Sequence, residues 1–117
     1  MPANIKPELW RTEVAESVAL LNIPGALQRS RVFDIDVSLW VKVPPDHPGP
    51  WHELVLEIDG QRQWQRRIQS SCPGQTDGLD YHCLIVLEAG PAVRLRALAA
   101  SHGSVVQRLV IEAREDL

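Results

Sequence analysis

The chain has 117 residues, of which 44% are hydrophobic and 23% charged, with a formal net charge of −3. That length supports a single domain with its own core, without metals or several disulfides to staple it. The slight acidic balance excludes the basic surface that a duplex-binding domain carries, so no nucleic-acid partner is expected.

The first ten residues hold Lys6 and Glu8 and no apolar run, and Glu16 and Ser17 interrupt Val14–Leu21. Neither stretch reads as a secretory signal, and the cytoplasm is the expected location. Ser17–Leu27 lacks charge, but it is too short to span a bilayer and contains Asn22, Pro24 and Gly25, so no membrane partner is expected.

Met1–Lys6 reads as a loose tail. Pro7–Glu16 reads as a short helical lead-in: Pro7 suits a first-turn position, and Glu8 suits the positive end of a helix dipole. Residues 1–16 are therefore set apart from a domain over 17–117. Val18–Ile23 reads as a strand. In Val32–Val43, VFDIDVSLWVKV, apolar residues occupy every second position: Phe33, Ile35, Val37, Leu39, Val41 and Val43. Successive side chains of a strand point to opposite faces, so this is a long strand with one buried face and one wet face. A wet face implies an antiparallel sheet. The proline-rich run Pro44–Pro50 ends the strand, because proline lacks the donor a ladder needs.

His52–Ile58 reads as the next strand, and Asp59-Gly60 as a two-residue hairpin turn. That register pairs Glu57 with Arg62, Val55 with Trp64 and Glu53 with Arg66, with both charged pairs matched in sign. Ser70–Gly78 is a loop by composition. Leu79–Leu87 alternates again, and Leu84 and Val86 on its second face suggest that part of it is covered twice. Ala92–Ala100 and Val105–Ala113 complete the set across the loop Ser101–Ser104. Short strands separated by turns, with no intervening helices, predict an all-β, single antiparallel β-sandwich. Immunoglobulin-like architecture is the first expectation and a jelly roll the second, with six strands and Val18–Ile23 as a seventh. Tyr81-His82-Cys83 resembles the Tyr-x-Cys of immunoglobulin strand F. No partner cysteine stands in an earlier strand, so Tyr81 and Cys83 are read as core-facing and His82 as outward.

No catalytic motif stands out. There is no G-x-S-x-G and no phosphate-cradling glycine turn. His47, His52, His82, His102, Cys72, Cys83, Asp77 and Asp80 include no C-x-x-C or H-x-x-x-H spacing, so no metal or cofactor is expected. Asp34 and Asp36 share a strand face, where paired carboxylates keep a long strand soluble. Nothing in the sequence sets a histidine or lysine beside them. Arg94 and Arg96 share another face, with Arg108 and Glu112 as possible neighbours.

The tryptophans carry the functional expectation. Trp40 lies on the polar face of the long strand, Trp51 leaves the proline-rich loop, and Trp64 stands among Arg62 and Arg66. Exposed tryptophan anchors protein interfaces or stacks on sugars. The expected function is a non-catalytic protein-interaction or assembly module contacting a protein partner or a second copy of itself. A carbohydrate-binding module using the same tryptophans is the alternative. A small enzyme using Cys72 or His82 is third.

Overall fold

The computed structural model describes residues 6–117. The described residues form eight strands: β1 (Leu9–Val14), β2 (Val18–Ile23), β3 (Arg31–Lys42), β4 (Trp51–Ile58), β5 (Gln61–Gln69), β6 (Thr76–Leu87), β7 (Val93–His102) and β8 (Val105–Asp116). They pair antiparallel in two four-stranded sheets, β1-β8-β3-β6 and β2-β7-β4-β5. The expected all-β antiparallel sandwich is present. Its pairs are nested: β4 with β5, β3 with β6, β2 with β7, β1 with β8. Such nesting is a long ribbon wound upon itself, which is the jelly roll named second rather than the immunoglobulin order.

Alternation in β3 places the core as expected. Phe33, Ile35, Val37 and Val41 have no exposed surface, and they meet Leu54, Leu56 and Leu95 from the other sheet. The inner face of β8 adds Leu109, Ile111 and Ala113.

The helix expected over Pro7–Glu16 is absent, and Leu9–Val14 is a strand paired to β8. Trp10 and Val14 satisfy a helical stripe, but with Thr12 they also share one face of a strand. Pairing with β8 turns Trp10 and Val14 onto the core, so tertiary context selects the extended form. The lead-in is thus part of the sandwich. The tail expected over Met1–Lys6 lies outside the described residues apart from Lys6.

Ion pairs clamp this first strand. Arg29 donates to Glu115 at 2.7 Å and to Glu8 at 2.8 Å. Buried Arg31 donates to Glu8 at 2.7 Å and to the Pro24 carbonyl at 2.7 Å. The backbone N–H of Glu8 donates to Glu115, and that of Glu115 donates to the Glu8 carbonyl.

The β4–β5 hairpin corrects the expected register. Asp59 and Gly60 both have positive φ, 49° and 81°, as the two-residue turn demands. Ile58 faces Gln61 and Glu57 faces Arg62, as read. An irregularity then admits Gln63 as an extra residue. Leu56 therefore faces Trp64, Leu54 faces Arg66, and Glu53 faces Arg67. The bulge turns the Trp64 ring inward, where it packs on the core. Glu53 pairs with Arg67 at 3.2 Å, and Glu57 with Arg96 of β7 at 2.6 Å.

Both cysteines are free, as expected. Cys72 is exposed in the β5–β6 loop, while Cys83 is half-buried and burial pushes its thiol up. Thiolate is the reactive form. A maleimide should therefore label Cys72 first under native conditions, with Cys83 following slowly. Equal labelling rates, read by mass spectrometry, would contradict this placement.

Candidate functional site

The strands carry the three candidate tryptophans to three different places. Trp40 is half-buried on the outer face of the β1-β8-β3-β6 sheet, and the Arg108 guanidinium lies 4.3 Å from its ring centroid. Its register partner on β6 is Gly78. The missing side chain leaves a shallow depression beside the ring, lined by Ser38, Gly78 and Asp80. Trp51 is half-buried at one end of the other sheet. Arg67 sits 3.7 Å from its ring centroid, and His102 is stacked at 6.0 Å. Trp64 stacks on Tyr81, with centroids 4.4 Å apart and planes at 13°, closing the edge between β5 and β6. Arg62 and Arg66 are exposed along β5. The three tryptophans share no surface: Trp40 and Trp51 lie on different sheets, and the Gln63 bulge puts Trp64 between them.

Arg94 and Arg96 line a wide depression with Val18 and Leu20. Arg96 pairs there with Glu57 and Asp59 accepts from the Arg94 backbone N–H, while the Arg94 guanidinium reaches only the Asn22 side-chain oxygen at 3.4 Å. Arg108 and Glu112 belong to the opposite sheet, where Glu112 pairs with Arg114 at 2.9 Å.

His52 is fully buried. Its Nε2 donates to the Gly78 carbonyl at 3.1 Å, so in the neutral ring Nδ1 accepts from Ser70 Oγ at 2.7 Å. This pair ties the loop after β5 to β4 and to β6.

Sequence reasoning missed the free edge of β6. Leu84 and Val86 are not covered twice; they are 61% and 66% exposed on the outer face, in register with Asp34 and Val32. The backbone bonds of Tyr81–Leu87 run to β3 alone among the described residues. The consecutive apolar residues Cys83–Leu87 read as doubly covered, and only the strand order shows that this strand is an edge.

The same register creates a second grouping. His82 lies opposite Asp36, and Asp34 is two residues along. His82 Nε2 is 2.5 Å from Asp34 Oδ1, and Nδ1 is 3.7 Å from Asp36 Oδ1.

No family model and no curated protein matches the sequence. Among solved structures, the chain is similar to part of dimeric latent PorU from Porphyromonas gingivalis. The identity is 14% and the TM-score 0.59, and the match covers 95% of this chain and 13% of that one. The chain thus spans a small fraction of PorU, and at this identity the likeness is one of fold. A more distant likeness is to the CBM36-1 domain of a multidomain xylanase from the hindgut metagenome of Trinervitermes trinervoides. There the identity is 8% and the TM-score 0.46, with 91% of this chain and 96% of that one covered. The protein is a β-sandwich module.

Proposed function

We propose that this chain is a non-catalytic interaction module that self-associates by pairing β6 with β6 of a second copy. The observation that carries the reading is the unprotected edge. Edge strands are normally guarded by lysine, proline or brevity. β6 runs twelve residues, Thr76–Leu87, with no lysine, arginine or proline, and it exposes Leu84 and Val86. By contrast, edge strand β5 carries Arg62, Arg66 and Arg67, edge strand β1 carries Arg11 and Glu13, and edge strand β2, apolar and exposing Val18 and Leu20, is only six residues long.

Charge and shape complementarity favour a second copy as the occupant. A two-fold axis at Ile85 sets Leu84 against Val86 and Cys83 against Leu87 of the second copy. It also sets His82 against Glu88, just past the strand end. Asp80 then faces Gly90, so the register meets no like-charge pair. The interface is isologous, so it closes as a dimer instead of propagating.

Leu84→Lys and Val86→Lys test this reading. Both side chains are exposed, so the monomer should keep its fold. A lysine at the paired edge should weaken association by about 2 kcal/mol or more. Sedimentation across a concentration range should show a dimer for the parent and a monomer for each variant. A parent that stays monomeric at high concentration removes the reading.

A second reading, sugar binding, is favoured by the depression beside Trp40. On that reading Trp40→Ala abolishes glycan binding and leaves the mass in solution unchanged.

A further inference from the structure

We propose that Asp34, Asp36 and His82 form a binding site for a divalent transition-metal ion, with the chemistry of Zn2+. The site stands on its own geometry and does not depend on β6 pairing.

Three observations carry it. The first is convergence. β3 and β6 run side by side for twelve register pairs, so two rigid strands present the three side chains on one face. One ligand atom from each lies within 4.8 Å of the others. Ligands about 2.0–2.2 Å from a tetrahedral zinc lie roughly 3.3 Å apart. Side-chain rotations would close the set, and each of the three side chains is partly exposed.

The second is an unmet valence. Asp34 Oδ1 is screened from solvent and has no hydrogen-bond partner. His82 Nε2 is near enough to donate but lies off the bonding direction. Enclosed polar atoms are normally satisfied, so this oxygen, facing an imidazole nitrogen on a half-exposed side chain, keeps a lone pair available to a cation.

The third is the lack of a competing cation. Arg114 is opposite Asp34 in register but bonds Glu112, and Arg11 also turns to Glu13 and Glu112. Among the described residues, no lysine or arginine pairs with Asp34 or Asp36. The two carboxylates and the local negative charge thus remain available to an ion.

The donor set decides the metal. Calcium and magnesium take oxygen ligands and gain little from imidazole. Imidazole with two carboxylates suits zinc, nickel and copper. Three protein ligands leave one tetrahedral position open to solvent.

The test is calorimetric titration of the full chain with zinc chloride, in a Cys72→Ser background that removes the exposed thiol. One zinc per chain should bind, and calcium chloride should give no saturable heat. His82→Ala and Asp36→Asn should each weaken zinc binding by at least about tenfold. The paired substitution His47→Ala and His102→Ala removes two imidazoles whose centroids are 5.2 Å apart, and should leave binding intact. Zinc should also shift the His82 ring resonances in NMR spectra. Absence of saturable zinc binding overturns the proposal. So does binding that survives His82→Ala or is lost with His47 and His102.

Discussion

Val37→Asp should unfold the domain. Val37 has no exposed surface and sits mid-strand in β3, between β6 and β8. A carboxylate there has no partner, and neutralising it still leaves a polar group among Ile35, Leu39 and Ile111. The expected loss is roughly 5 kcal/mol, comparable to the whole stability of a small domain. Ser38→Asp is the control one residue along. It faces the solvent side opposite Asp80, so it should cost about 1 kcal/mol or less, from like charges across the ladder. Thermal denaturation by circular dichroism separates the two. Similar melting temperatures would mean that the alternation does not define the core.

Glu8→Ala should come second in magnitude. Arg31 is 3% exposed, and among the described residues Glu8 is its only carboxylate partner within bonding distance. Removing that partner strands a buried guanidinium on the Pro24 carbonyl alone. The expected cost is about 3 kcal/mol, because the arginine charge persists without compensation. Glu8→Ala with Arg31→Met should recover much of the loss, which distinguishes an unpaired charge from a merely weakened strand. Chemical denaturation of the single and double variants decides between them.

The same clamp carries a pH dependence. The Arg29 guanidinium donating to Glu115 holds its carboxyl below the usual carboxylate range. A carboxylate lowered on folding stabilises the folded form fully above its unfolded value. That contribution falls away as the pH drops through the lowered value. The β1 end should therefore loosen in acid before the β3 core does, as amide exchange would report.

Much of the fold could be read directly from the residues. Strict alternation in β3 fixed its buried face, and Asp59-Gly60 fixed the hairpin turn. Proline ended β3 where its ladder had to stop. Other features depended on which strand lies beside which, and local pattern does not encode that. Trp10, Thr12 and Val14 fit a strand, but Trp10 and Val14 also fit a helix until β8 lies alongside. Trp64 looked outward until Gln63 entered as an extra residue and reversed its face. Leu84 and Val86 looked twice covered, because apolar residues on both faces describe a central strand as well as a bare edge. Asp34 and Asp36 were visible as a pair, but His82 joins them only through a cross-strand register between residues far apart in the chain.

The central claim is that the bare edge of β6 pairs with itself, and concentration-dependent hydrogen exchange tests it most directly. Amides of Tyr81–Leu87 that point away from β3 have no partner among the described residues and should exchange quickly in dilute solution. At high concentration the same amides should become protected, while those of edge strands β1, β2 and β5 remain unchanged. Protection confined to another edge, or exchange in β6 that is indifferent to concentration, would contradict the account.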